Sequence, residues 1–207
     1  LMLNDREGPG FQEEIRARAP NIQVQTANFE SPQLIAKAGS LFLPGPGLES
    51  YAYWRRRSGN QRAFSLCGVT HTTSTDRVMD ALAHSLTAPV QPWDAIICTS
   101  RAVQSMVRRQ LQENVAYLQN ALGATRAGIP MLPMIPLGVD CDAFQRDPAL
   151  GVAYRQELGI GAEDIALILV ARLSSATKFS PLPLFLALQK AAERRGRTLH
   201  LLLTGWI

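Results

Sequence analysis

The chain has 207 residues, 46% hydrophobic, 18% charged and 7% aromatic, which excludes a disordered segment and leaves apolar surface for one or two folded domains. Its formal charge of +4 and isoelectric point near 9.3 come from short basic groups (Arg55 to Arg57, Arg108-Arg109, Arg194-Arg195) without interleaved aromatics, so a mild pull on anions is expected and a nucleic-acid surface is not. Cys67, Cys98 and Cys141 show no CxxC spacing, no apolar run nears the roughly 20 residues of a membrane span, and no signal-peptide pattern leads the chain, so a reducing, cytoplasmic setting is expected.

Short apolar runs alternate with longer amphipathic ones, the signal for repeated βα units on a parallel sheet. Strands are expected at residues 22–25, 40–43, 63–70, 95–99, 131–135, 165–171 and 199–203. Most are continuous apolar runs rather than alternating ones, as when helices cover both sheet faces. Residues 75–87 form a helix with Val78, Leu82 and Leu86 on one stripe. Residues 101–122 form a longer one with Val103, Val107, Leu111, Val115, Leu118 and Leu122 inward and Ser100 as N-cap. A third spans 181–194, with Leu184, Phe185 and Leu188 inward. Residues 135–164 are turn-rich, hold one short helix and mark the boundary before a new βαβ begins at Ile165.

In open α/β sheets, ligands sit outside the carboxyl ends of the strands. Three features fall there. In "LFLPGPGLES", residues 41–50, two Pro-Gly pairs make a stiff turn whose Gly45 and Gly47 either line a cleft or simply turn the chain. In "FSLCGVTHTTST", His71 ends a strand between Thr70 and Thr72, where an imidazole can bond a sugar hydroxyl or move a proton. Its plainer role is to cap the following helix with Ser74 or Thr75. A zinc pair of Cys67 and His71 is disfavoured, because that spacing along a strand and its turn points the ligands apart. In "ALILVARLSSATKFSP", Arg172 follows a strand and Lys178 precedes a helix capped by Ser180 with Pro181 in its first turn. Two cations beside a helix start suit a diphosphate, and two solvated surface charges are the alternative. Motifs for classical NAD binding, P-loop chemistry and α/β-hydrolase chemistry are missing.

"CGVTHTTST", "DAIICTSRAV", "IPLGVDCDAF" and "LILVARLSSATK", in that order, resemble the retaining GT-B-fold glycosyltransferases of family 4, also called glycosyl transferase group 1. The resemblance runs from about Leu41 to the end. It implies two Rossmann-like domains facing across a cleft: residues 1–145 as a truncated acceptor-side domain, 146–164 as the interdomain segment, and 165–207 as the opening of a truncated nucleotide-sugar domain. It implies sugar transfer from a nucleotide-diphosphate donor to a saccharide or lipid-linked acceptor, with retention of configuration and no metal or cofactor. His71 maps onto the catalytic histidine at the donor sugar, and Arg172 and Lys178 onto the cations that hold the diphosphate. Gly45, Gly47, Thr70, Thr72 and Gly205 are the further cleft-lining candidates. The family's Asn-Gly-Val-Asp has Leu137 in place of its Asn.

The family's glycine-rich loop after the first strand and its later pair of spaced carboxylates have no counterpart here. The start at Leu1 and the stop after "LHLLLTGWI" read as a fragment, expected to be inactive alone. Two rival readings stay open. One is a non-catalytic α/β binding module, its cations contacting a partner or an anionic membrane face. The other is a related GT-B enzyme such as a nucleotide-sugar epimerase, for which the nearest carboxylates, Asp76 and Asp80, fall on exposed helix positions. Peripheral contact with the inner membrane face also stays open, since acceptors in the resembling family are often lipids or surface polysaccharides.

Overall fold

A computed structural model describes residues 8–25, 27, 29–58, 60–172, 174 and 180–205. The chain divides into two compact units, Leu1–Gly138 and Val139–Ile207. Both are α/β, with parallel strands in open sheets.

The first unit contains helices α1 (Gly8–Arg18), α2 (Pro32–Ala38), α3 (Glu49–Arg57), α4 (Asp76–His84) and α5 (Arg101–Leu122). Strands β1 (Ser40–Phe42), β2 (Ser65–Val69) and β3 (Ala95–Ile97) lie side by side in chain order, Phe42 against Cys67 and Cys67 against Ala95. Two isolated parallel bridges, Ala95 to Met131 and Cys98 to Met134, carry the ladder one segment further. The expected strand at 131–135 is thus reduced to those bridges. Pro130, Pro133 and Pro136 offer no N–H, so the ladder cannot run unbroken beside β3. The expected strand at 22–25 pairs with nothing among the described residues, and Ile22 is exposed.

The apolar stripes explain how the helices cover the sheet. Leu41, Leu66 and Ile96 of the three strands pack with Leu82 of α4 and Val107 and Leu111 of α5 in one buried cluster. α5 starts where its cap predicts: Ser100 Oγ accepts from the Val103 amide at 3.2 Å. It ends at Gly123, whose φ of 64° is natural to glycine. The expected stripe overreaches by one turn, since Leu122 in the last turn is 69% exposed.

One member of the basic group Arg55 to Arg57 is buried and so adds nothing to the expected pull on anions. Arg55 and Asp94 are both fully buried. The guanidinium grips the carboxylate in a bidentate pair, Nη1 to Oδ1 and Nη2 to Oδ2, each 2.7 Å. Nη1 also donates to the Phe64 carbonyl at 2.8 Å, while Asp94 accepts from the amides of Leu66 (2.8 Å) and Gln91 (2.7 Å). One ion pair therefore joins α3 to the amino ends of β2 and β3.

In the second unit, α6 (Pro148–Glu157) starts at Asp147, whose carboxylate accepts from the Ala149 and Leu150 amides. Strands β4 (Ile165–Val170) and β5 (Leu199–Thr204) pair in parallel along their full length, and α7 (Pro181–Arg195) connects them. α7 begins at Pro181 as expected, but the Ser180 side chain makes no capping hydrogen bond. At the amino ends of the strands, Asp164 Oδ2 lies 3.1 Å from His200 Nε2 and accepts the Gly161 amide at 2.9 Å. Arg155 of α6 donates to the Asp164 carbonyl at 2.8 Å. The His200 hydrogen bond, then the Gly161 amide, hold the Asp164 carboxyl below its ordinary range.

Replacing Asp94 with Asn leaves Arg55 buried without a counter-charge, and the expected loss is about 3–5 kcal/mol, read as a lower urea midpoint of the first unit; an unchanged midpoint would refute the pair's role. Asp164 is more acidic folded than unfolded, so its contribution is present above the ordinary carboxyl value near 3.8 and fades as pH falls through the depressed folded value. Asp164→Asn should therefore lower stability at pH 7 and lose that penalty as the pH falls below 3.8 through the depressed folded value, as followed by circular dichroism.

Candidate active site

The candidate residues are best followed along the carboxyl ends of the strands. After β1, the Gly45-Pro46-Gly47 turn lies flat on β2: the Val69 amide donates to the Gly45 carbonyl at 3.2 Å, and the Leu43 amide to the Cys67 carbonyl at 2.8 Å. Gly68 makes this approach possible. A Cβ there would lie 2.6 Å from the Gly45 carbonyl oxygen and 3.3 Å from Pro46 Cα, so only glycine fits beneath the turn. Sequence reading singles out Gly45 and Gly47, but the tight contact belongs to Gly68.

After β2, Thr70 is buried and its hydroxyl is committed to the Ile97 carbonyl at 3.1 Å. In return, Thr99 Oγ1 donates to the Thr70 carbonyl at 3.2 Å. These bonds tie the ends of β2 and β3 together, so Thr70 holds the edge in place and its hydroxyl is not directed to a ligand. His71 follows immediately and is exposed. Thr72 and Ser74 share a hydroxyl–hydroxyl bond of 3.0 Å in the same loop. Thr75 is the N-cap of α4, without a side-chain capping bond, so neither Ser74 nor His71 closes that helix.

Gly45 and Gly47 line a cleft of about 330 Å3 with Pro46, Glu49, Ser50, Arg77, Val78 and Ala81. His71, Thr70 and Thr72 share its edge of the sheet but are not among its lining residues. Sequence reading missed Arg77 and Glu49. The available signal was modest: Arg77 stands in the first turn of the helix after the His71 loop, and Glu49 opens the helix after the glycine turn.

In the second unit, Arg172 lies two residues beyond β4 and is exposed. The Ala171 amide donates to the Thr204 carbonyl at 3.0 Å, which keeps the ends of β4 and β5 level. Gly205 follows β5 with a φ of 150°, and any Cβ there would overlap the Ala171 carbonyl. The structure thus places Gly205 beside the backbone that leads into Arg172. Lys178 lies outside the described residues.

Burial pushes the Cys67 and Cys98 thiols up, with Arg108 pulling Cys98 partly back, so neither is poised as a thiolate nucleophile. Among the described residues, no three His, Cys, Asp or Glu side chains gather as a metal site, and no helix is long and apolar enough to cross a membrane. Asp76 and Asp80 are exposed, as their helix positions imply.

Comparison with protein-family models, with curated proteins and with solved structures gave no match to this chain.

Substituting Gly68 by Ala should cost about 1–3 kcal/mol through overpacking, whereas Gly45→Ala, whose Cβ meets nothing within 4 Å, should be nearly neutral. Urea midpoints for the two variants check the contrast, and equal effects would contradict the packing described.

Proposed function

We propose that the chain belongs to a retaining glycosyltransferase of the GT-B type, which moves a sugar from a nucleotide-diphosphate donor to an acceptor. One observation supports this reading most directly. In each unit, the residue that the resemblance assigns to the donor follows a parallel strand at its carboxyl end: His71 after β2 and Arg172 after β4. Carboxyl ends of open parallel sheets are where such folds take their ligands.

The chemistry asked of these residues is modest and physical. As the bond between the sugar and the diphosphate breaks, negative charge grows on the leaving phosphate oxygens. The Arg172 guanidinium stabilises that charge more in the transition state than in the bound donor. Lys178 is assigned the same task from sequence. His71 donates or accepts a hydrogen bond at a donor-sugar hydroxyl and orients the ring. A cytoplasmic setting, read from three free cysteines, goes with this reading.

Titration of the full-length protein with UDP- and GDP-sugars, by calorimetry, tests the proposal. Loss of one charged hydrogen-bonding group costs about 1.5–3 kcal/mol, so Arg172→Ala and Lys178→Ala should each weaken donor binding by roughly tenfold to a hundredfold. Unchanged donor affinity in both variants would remove the diphosphate assignment. Donor binding without any sugar transfer would favour the non-catalytic binding module instead.

A further inference from the structure

The cleft beneath the glycine turn carries more chemistry than a turn requires. One wall is backbone held rigidly: Gly45-Pro46-Gly47 rests on Gly68 and is hydrogen-bonded to β2, and Pro46 is buried. The facing wall is α4, with Ala81 and Val78 as a small apolar floor. A Cβ built on Gly47 would sit 3.6 Å from Ala81 Cβ, in ordinary van der Waals contact, so a side chain larger than methyl at residue 47 would reach into the cleft. Three polar side chains line this space: Glu49, Ser50 and Arg77.

Their commitments differ. Glu49 is engaged with His84, Oε2 to Nδ1 at 3.3 Å, and keeps lone pairs for further donors. Arg77 makes no ion pair or side-chain hydrogen bond among the described residues, although Asp76 and Asp80 are close in sequence. A guanidinium offers five N–H donors in a planar fork that matches a phosphate or carboxylate. A carboxylate and a hydroxyl nearby suit hydroxyl groups and repel a ligand that is anionic throughout.

We infer that this cleft seats the acceptor, and that the acceptor is a hydroxyl-rich molecule bearing one anionic group, held by Arg77 while Glu49 and Ser50 take its hydroxyls. The acceptor role rests on the transferase reading above; the anion at Arg77 rests on the cleft itself. The substrate class is therefore a sugar phosphate or a sugar acid in preference to a neutral sugar. Arg77 is a specificity-determining residue in this scheme, with no part in bond breaking.

Amide chemical-shift mapping on the full-length protein, with glucose 6-phosphate, glucuronate and glucose as probes, tests it. Both charged sugars should shift Gly47, Arg77 and Ala81, and glucose should shift them at least tenfold more weakly. A response to only one charged probe would choose between phosphate and carboxylate. Arg77 is exposed, so Arg77→Ala should fold normally and lose at least tenfold in affinity for the charged probes, and Arg77→Lys should recover part of it. Gly47→Val, which fills the cleft and leaves the charge, should also weaken binding. Equal binding of glucose, or no loss in Arg77→Ala, would overturn the inference. UDP-glucose titrated into the same samples separates the two proposals. Donor binding without a charged-sugar response sinks the cleft assignment alone. A charged-sugar response without donor binding sinks the transferase reading and the acceptor role with it.

Discussion

The Arg55–Asp94 pair is the constraint on which the first unit depends. Two opposite charges lie where no water reaches them, and each would be costly alone. The cost is offset because the carboxylate accepts two backbone amides in addition to the bidentate guanidinium, and the guanidinium reaches a backbone carbonyl. Arg55 Nε has no hydrogen-bond partner among the described residues, so the network is nearly but not fully satisfied there. Its partners come from α3, from the amino end of β2 and from the turn before β3. A register slip of either strand would break several charged bonds together, so the pair specifies pairing as well as supporting it.

That arrangement sits at the amino ends of the strands, and the second unit repeats the logic with other residues. Asp164 and His200 meet at the amino ends of β4 and β5, with the Gly161 amide and Arg155 closing around them. In each unit an acid–base contact fixes one end of the sheet. The opposite end is built differently, from backbone: a glycine turn lying on Gly68, a threonine exchange between β2 and β3, and Gly205 pressed against Ala171. Backbone packing forms that carboxyl edge, where His71 follows β2 and Arg172 follows β4 and where a parallel sheet collects ligands.

Much of this order was legible in advance. The period of α5, its Ser100 cap and the apolar runs of β2 to β5 were readable because burial on one stripe or on both faces of a strand writes itself into local sequence. Residues 131–135 looked equally apolar, yet three prolines reduce them to two bridges. Residues 22–25 alternate like a strand, but alternation needs a neighbour and none is there among the described residues. Arg55 was hidden inside a run of three arginines, since the one that turns inward is identical in type to the two that face solvent. Arg77 and Glu49 were missed because a cleft joins positions nearly thirty residues apart.

By itself, the amino-acid sequence determined the class of fold, the parallel sense of its strands, the position of the long helix and which residues end strands. Those follow from local periodicity, capping and breaker chemistry, each confined to a few neighbouring residues. Only the tertiary structure decided that Asp94 anchors the sheet, that Gly68 underlies the glycine turn, and that Arg77 and Gly47 line one cleft. Each of these is a contact between segments distant along the chain, and the type of a residue does not say which distant atom it will meet.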